Sequence, residues 1–348
     1  MVALSKMREF TCIDLFAGAG GLSCGLIAEG FDIAVAVEID SVSAKSYILN
    51  HSSTKVLVKD IRKITGPELL KQAGLVRGDL DLLTGCPPCQ GFSTLRTKRR
   101  TLESDDPRND LIREVLRLVR SMRPRAILIE NVPGLAKDRR FVDFRVGLKQ
   151  AGYCSDYAIL NASDFGVPQR RRRLVLIAFR GMNVPANWSC YETSEKNVRQ
   201  AISHLATSAG SSGDALHDIP EKRTPAMMER IRATPKDGGS RKDLPSEMQC
   251  RCHVRGDGYF DVYGRMAWDA LAPTITSGCS NPSKGRFLHP EKDRAITLRE
   301  AAVLQTFPET YKFCLDRGKD HVARQIGNAF PPDLIKPIAR IISQKLVS

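Results

Sequence analysis

Short apolar runs that end near a glycine or an acidic residue recur along the first half of the chain. Their length and the turn residues beside them are typical of buried strands. Segments with apolar residues at helical spacing lie between the runs, for example those that begin at Leu22 and Leu111. Strands that alternate with helices predict an α/β protein with an open parallel sheet, whose ligands bind at the carboxyl ends of the strands. The runs are residues 10–16, 33–37, 55–58, 79–84 and 126–129, with others near 157–160 and at 174–179.

The hydrophobic pattern changes between about residue 181 and residue 273. Turn-forming residues become frequent there and neither helical nor strand periodicity is sustained, which predicts a separate, irregular domain. Helical spacing returns at residues 298–304, and the segment from Gln325 to Pro332 is predicted to cap a last helix over residues 333–346. We expect that helix to return to the first domain.

Composition limits the class of protein and of partner. The 348 residues include 53 Lys and Arg against 39 Asp and Glu, a formal net charge of +14. Such an excess favours a polyanionic partner, because each neutralised phosphate releases counterions, although an ordinary basic surface is the alternative. The ten cysteines share no repeated spacing, so no disulfide framework or four-ligand zinc site is predicted. The absence of a signal-like or membrane-length apolar run predicts a soluble intracellular protein.

A proline-rich turn with two cysteines follows the predicted strand 79–84. Cys86 and Cys89 flank two prolines, and Gly91 follows, so Cys89 is expected on a rigid turn at the strand's carboxyl end. Three interpretations are open for this turn taken alone. The cysteines could form a redox pair, Cys89 could be a nucleophile with Cys86 filling space, or both could be structural.

A glycine-rich turn joins the first predicted strand to the first predicted helix. It places Gly18, Gly20 and Gly21 where backbone N–H groups can approach a small ligand, although a closely packed turn is the alternative. The third position of the dinucleotide fingerprint would be Ser23, which disfavours NAD. Acidic residues end or follow three strands, and they suit a neutral ribose carried by a cationic group, as in S-adenosylmethionine. They are Asp14, Glu38 and Asp60.

Three further charged segments are candidates for chemistry or DNA contact. The loop with Arg96, Lys98, Arg99 and Arg100 could close over a phosphate backbone or be a solvated loop. Glu130 could face the same crevice as Cys89 or cap a helix. The arginines at 170–173 lead into a strand, where alternation would put Arg171 and Arg173 on one face and Arg170 and Arg172 on the other. A charged strand start is the alternative. The pattern Cys250-Arg251-Cys252-His253 cannot close a tetrahedral metal site alone, and no metal is predicted.

Taken together, six segments in this order resemble the cytosine-C5 DNA methyltransferases, in particular the bacterial modification enzymes. Residues 16–21 resemble the family's cofactor loop, and residues 85–93 resemble its nucleophile motif. Glu130-Asn131-Val132 matches the ENV motif, and residues 169–173 match QxRxR. Residues 265–276 and 325–329 resemble the segment after the recognition region and the last motif. The likeness covers nearly the whole chain outside about 181–264.

The resemblance implies a fold and a reaction. The fold is a class I S-adenosylmethionine-dependent methyltransferase, a Rossmann-like sheet with helices on both faces, plus a small irregular target recognition domain. Residues 1–183 and 316–348 would form the catalytic domain, and 184–315 the recognition domain and hinge. The enzyme would methylate C5 of a flipped cytosine in duplex DNA through a Cys89–C6 adduct, using S-adenosylmethionine and no metal. A tRNA cytosine methyltransferase and an inactive DNA-binding protein are the alternatives; the Cys-Phe-Thr signature of the RNA-acting branch is absent.

The resemblance also assigns residues, partners and location. The chain would be a monomer in the bacterial cytoplasm, or in the nucleus if eukaryotic, with a restriction endonuclease as a possible companion acting on the same site. The predicted catalytic residues are Cys89, Glu130, Arg171 and Arg173. The predicted cofactor residues are Asp14, Phe16, Gly18, Gly20, Gly21, Leu22, Glu38, Ile39, Asp60, Ile61, Pro88, Leu111, Asn328 and Ala329, and the predicted DNA-contacting residues are Gln90, Ser93, Arg96, Lys98, Arg99 and Arg100.

Overall fold

The computed structural model describes residues 10–88, 110–191, 193–205, 210, 212–249 and 261–348, and these divide into two compact units. The first unit comprises the described residues up to Leu160, together with Arg172–Tyr191 and Pro332–Ser348. The second comprises Asn161–Arg171 and the described residues from Thr193 to Pro331. The functional division into catalytic and recognition domains stays a prediction.

A seven-stranded sheet organises the first unit. Its order is β3-β2-β1-β4-β5-β7-β6. Neighbouring strands from β3 to β5 are parallel, and β7 runs antiparallel to β5. The strand order reverses between β1 and β4, which is the point where open α/β sheets bind ligands at their carboxyl edge. The strands are β1 Phe10–Leu15, β2 Phe31–Glu38, β3 Lys55–Val58, β4 Leu82–Gly85, β5 Ala126–Asn131, β6 Tyr153–Asn161 and β7 Arg172–Arg180.

Helices cover both faces of this sheet. Ile13, Ile127 and Leu176 pack against α3, α4 and α5 on one face. Asp14 points to the other face, where Ser23 of α1 bonds to it, and α10 packs on α1. The helices are α1 Gly21–Ala28, α2 Ser41–Asn50, α3 Gly66–Ala73, α4 Leu111–Met122, α5 Arg139–Gln150, α6 Val198–Ile202, α7 Pro225–Ala233, α8 Leu298–Leu304, α9 Gly318–Asn328 and α10 Pro332–Val347. The predicted α/β architecture with helices on both faces is confirmed, but the sheet is mixed rather than wholly parallel, because β7 runs antiparallel to β5.

The second unit is built mainly from turns around α6 to α9. Its interior contains Arg265, which is fully buried and donates hydrogen bonds to the carbonyl oxygens of Ile231, Thr234 and His289. Asp293 also accepts a hydrogen bond from this guanidinium, at 2.6 Å. A buried guanidinium that donates hydrogen bonds to several main-chain carbonyls can order a segment that has no β-sheet or helical hydrogen bonds of its own.

Three sequence predictions about elements need correction. The fourth strand begins at Leu82 rather than residue 79, because the Asp81 carboxylate accepts hydrogen bonds from Arg125 and from the backbone of Thr11 instead. The last strand begins at Arg172, so Arg170 and Arg171 lie before it. The segment predicted as a cap near Gln325 belongs to α9.

Across the described ranges, no helix is both long and apolar enough to span a membrane.

Candidate active site

The loop after β1 has a backbone conformation that brings it close to the carboxyl edge of the sheet. Phe16 has a φ of 58° and Gly18 one of 56°, both in the left-handed region. Gly20, with φ 93°, is the N-cap of α1 and donates its N–H to the Ala17 carbonyl at 2.9 Å. A Cβ on Gly18 would meet no atom within 4 Å, so open space lies beside the backbone there. The loop therefore offers bare backbone and the N-terminus of α1, in which Gly21 and Leu22 are buried.

Glu38, the last residue of β2, fixes this loop from the neighbouring strand. One carboxylate oxygen accepts the N–H of Gly18 and the other accepts the N–H of Asp40, both at 2.8 Å. Burial raises the pKa of Glu38, while these backbone donors lower it. Ile39 stands next to it with 65% of its surface exposed. An acceptor and an apolar side chain thus lie side by side at the end of β2.

A buried chain of hydrogen bonds supports the loop from below. The Ser23 hydroxyl donates to Asp14 at 2.7 Å, and the Tyr47 hydroxyl donates to Ser23 at 2.7 Å. Burial raises the pKa of Asp14 to about 7. His51 packs on the Tyr47 ring and bonds to the backbone of Gly20, and burial lowers the pKa of His51 to about 4. Sequence reasoning missed Ser23, Tyr47 and His51 as partners of the loop, because no local motif marks them.

Asp60 is placed differently from the other two acids. Its carboxylate accepts hydrogen bonds from the backbone and side chain of Arg62, which hold its pKa down at about 2. The carbonyl of the buried Ile61 accepts from Arg117 of α4 at 3.0 Å. Asp60 is therefore charge-paired, and Asp14 is buried with a pKa near neutrality. The three carboxyls predicted as an acidic site do not act as three free negative charges.

The two residues after β4 are held by the strands on either side, β1 and β5. The N–H of Cys86 donates to the Leu15 carbonyl at 3.3 Å, and the Asn131 side chain donates to the Pro87 carbonyl at 2.9 Å. Pro88 is exposed. Asn131 belongs to the segment that matches the ENV motif, and the sequence predicted no role for it. Its side chain fixes the backbone two residues before Cys89. The predictions for Cys89, Gln90, Ser93, Arg96, Lys98, Arg99 and Arg100 lie outside the described residues.

Glu130 forms an ion pair at the carboxyl end of β5. Arg173 Nε lies 2.8 Å from Glu130 Oε1, and both side chains are largely buried. Glu130 is inside the strand, and the short helix that follows is capped by Val132. The alternative that Glu130 caps a helix is therefore wrong.

Arg171 occupies a different environment, within the second unit. It is 1% exposed and donates to the carbonyls of Ile275, Gly327 and Ala329 at 2.8 to 3.1 Å. A Cβ on Gly327 would lie 2.2 Å from the carbonyl carbon of Thr276, so only glycine fits this approach. Three of the segments singled out in the sequence thus meet around one guanidinium. Asn328 is exposed and Ala329 half-buried beside them.

Arg171 and Arg173 were predicted to share one face of a strand. That premise is wrong, because only Arg172 and Arg173 of the four arginines lie in β7. Exposure still alternates along the run, with Arg170 and Arg172 exposed. Leu111, a predicted cofactor residue, is half-buried and is the first residue of α4.

Comparison with known proteins adds the decisive observation. The model of the family described as C-5 cytosine-specific DNA methylase matches residues 10–344. The chain belongs to this family. It is a DNA cytosine-C5 methyltransferase, as the six motifs implied.

Relatives and solved structures agree with this membership. The type II methylase M.HgiDII of Herpetosiphon aurantiacus is 38% identical over 352 residues, which cover 96% of this chain and 95% of that protein. The type II methyltransferase M.XorII of Xanthomonas oryzae pv. oryzae is 32% identical, covering 96% and 84%. The S. pombe Dnmt2 methyltransferase has a TM-score of 0.69 at 19% identity, with 98% of this chain and 100% of that chain covered. At that identity the structural likeness shows the fold alone.

Proposed function

We propose that this methyltransferase transfers the methyl group of S-adenosylmethionine to C5 of a flipped-out cytosine in a specific duplex DNA sequence, through a covalent Cys89–C6 adduct. One observation supports this proposal above the others. The paired carboxyl and guanidinium of Glu130 and Arg173 stand beside the backbone of residues 86–87, which leads directly to Cys89. The reaction needs a nucleophilic cysteine, a carboxyl and an arginine, and the carboxyl and the arginine of this set are paired at the carboxyl edge of the sheet.

The residues at the sheet edge fit the cofactor. The open backbone at Gly18, the accepting carboxylate of Glu38 and the exposed Ile39 suit an amino group, a ribose and an adenine ring respectively. S-adenosylmethionine would supply an activated methyl group on a sulfonium. We assign the predicted cofactor residues of the first unit to this role, with Asp14 acting from beneath the loop; the roles of Asn328 and Ala329, which belong to the second unit, stay predictions.

The chemistry follows from the low reactivity of cytosine C5. Addition of a thiolate to C6 makes C5 electron-rich enough to attack an electrophilic methyl carbon. A free cysteine titrates near pH 8.5, so Cys89 needs a positive environment to ionise at neutral pH. Glu130 would contact the ring and assist protonation at N3, and the Arg173 guanidinium would hold that carboxyl in place. The C5 proton then leaves and the thiol is eliminated.

Arg171 has a supporting part in the proposed reaction. Its bonds to main-chain carbonyls fix the segments around Ile275 and Gly327. We therefore assign Arg171 to positioning the last motif, and Arg173 to direct contact with Glu130.

Duplex DNA is the proposed substrate, and the base must leave the stack before the reaction. Flipping costs a few kcal/mol, which phosphate contacts from the basic loop with Arg96 and Arg100 would offset. Residues 184–315 would read the flanking bases by loops in the major groove. A restriction endonuclease that acts on the same sequence, a monomeric state and a cytoplasmic location remain predictions of the same kind.

The test is transfer of labelled methyl from S-adenosylmethionine to unmethylated duplex DNA and to tRNA, with Cys89→Ala measured beside the unchanged enzyme. Label in DNA cytosines that disappears in the variant would support the proposal. Label in tRNA alone would assign the chain to the RNA-acting branch. Absence of label in both, with DNA still bound, would refute the proposed reaction.

A further inference from the structure

Cys86 lies in register with Glu130 at the carboxyl edge of the sheet. β4 and β5 are parallel and their last pair is Gly85 with Ile129, so Cys86 and Glu130 each follow that pair by one residue. Residues paired across neighbouring strands direct their side chains to the same face. That face is opposite the one on which Ile129 packs into the core. The thiol and the carboxyl are therefore neighbours because of strand register.

Arg173 extends this row on the other side of Glu130. β7 is antiparallel to β5, with Val175 opposite Glu130, so Arg173 is the diagonal neighbour on the same face. The ion pair at 2.8 Å confirms this arrangement. Cys86, directly after β4, thus stands beside Glu130 of β5, and Arg173 of β7 stands on the other side of Glu130.

The thiol is held in its protonated form in this position. Burial, the negative charges of Glu130 and Asp14 and the hydrogen bond with Glu130 raise the pKa of Cys86 well above its ordinary value, and Arg173 opposes this only in part. A protonated thiol is a hydrogen-bond donor and a poor nucleophile. Cys86 is also a free thiol in the structure.

We propose that Cys86 is a positioning residue for Glu130, donating its S–H to the carboxylate while Arg173 holds the carboxylate from the opposite side. The orientation of the carboxyl toward the base is then set from two sides, by Cys86 and by Arg173. This inference rests on the proposed function, because it gives Glu130 its contact with the cytosine. It replaces both earlier roles for Cys86, as redox partner and as filler.

Kinetics of Cys86→Ala and Cys86→Ser test the inference. We expect Cys86→Ala to lower kcat about fivefold, the factor that corresponds to one net hydrogen bond, with KM for DNA and Kd for S-adenosylmethionine within about twofold. Cys86→Ser should recover most of kcat, because its hydroxyl donates in place of the thiol. Cys24→Ala, another half-buried thiol but in α1, is the matched control.

Alkylation gives a readout that does not depend on activity. Iodoacetamide should label Cys86 slowly in the unchanged protein, and at least about threefold faster in Glu130→Gln, because the carboxylate that suppresses the thiolate is gone. The exposed Cys154 serves as the internal reference in the same digest.

Several results would overturn the inference. They are an unchanged kcat in Cys86→Ala, a Cys86→Ser variant as slow as Cys86→Ala, or unchanged alkylation in Glu130→Gln. If Cys86→Ala abolished activity and Cys86→Ser did too, with melting temperatures unchanged, the redox interpretation would replace it. An unchanged enzyme that transfers no methyl would remove the proposed function and this inference together, whereas an active enzyme with an indifferent Cys86 would remove the inference alone.

Discussion

Replacing Tyr47 with phenylalanine removes one hydroxyl from the buried chain beneath the cofactor loop. Tyr47 is fully buried, and its hydroxyl donates to Ser23 at 2.7 Å, which in turn donates to Asp14. The ring and its contact with His51 remain, so the change is confined to one hydrogen bond. Loss of a net hydrogen bond costs about 1 kcal/mol, and the unpaired acceptor on Ser23 adds up to about 1 kcal/mol more.

The same perturbation should reach the cofactor. Ser23 lies in the first turn of α1, directly after the loop with Gly18 and Gly20. Because Tyr47→Phe removes a hydrogen bond to Ser23, we expect that loop to be less ordered before the cofactor binds. We expect Kd for S-adenosylmethionine to rise about fivefold, the factor that corresponds to about 1 kcal/mol. Isothermal titration calorimetry measures Kd, and urea unfolding measures the free energy of unfolding.

Tyr153→Phe is the matched control for Tyr47→Phe. Tyr153 is a buried tyrosine of the same unit, and its hydroxyl donates to the Pro124 carbonyl at 2.6 Å, away from the loop. Both variants should lose about 1 to 2 kcal/mol of stability, but only Tyr47→Phe should weaken cofactor binding. Equal Kd values for the two variants would refute the reasoning, because the loss would then be one of general stability.

Three further predictions follow from the described contacts. Arg173→Gln removes the guanidinium beside Glu130 and should lower kcat by about 10², measured by methyl transfer, together with the melting temperature, because a largely buried carboxylate loses its ion-pair partner; a loss in kcat smaller than about threefold would contradict the assignment. The pKa of Asp14 is raised from 3.8 to about 7, so the folded state holds an extra proton between these values and stability should fall as pH rises from about 4 to about 7, by up to about 4 kcal/mol. Asp14→Asn should flatten that part of the pH profile in urea unfolding, and an unchanged slope would point to another group. Gly327→Ala would place a Cβ 2.2 Å from the Thr276 backbone and should destabilise the second unit by about 3 kcal/mol, seen as a lower melting temperature.

The sequence was sufficient for the elements and the family, because these depend on local patterns. Apolar runs of strand length gave β1, β2, β3 and β5 to within a few residues, and residues 298–304 coincide with α8. The glycine turn was predicted as a candidate ligand loop because backbone N–H groups can approach a ligand there, and Gly18 and Gly20 do adopt the left-handed backbone that glycine tolerates. The prediction from local propensity was wrong at the start of β4, where a side chain replaces a hydrogen bond of the sheet. The Asp81 carboxylate there accepts hydrogen bonds from Arg125 and from the backbone N–H of Thr11.

What the sequence by itself determined is the α/β class, the six motifs in order and the residue types that the chemistry needs. Which of these residues touch depended on tertiary structure, because strand register and buried hydrogen bonds join positions far apart in the chain. Strand register placed Glu130 between Cys86 and Arg173. Arg173 therefore pairs with Glu130, whereas Arg171 donates to main-chain carbonyls such as that of Ile275. The support of the loop by Tyr47 through Ser23 spans 24 positions, and no pattern along the chain encodes it.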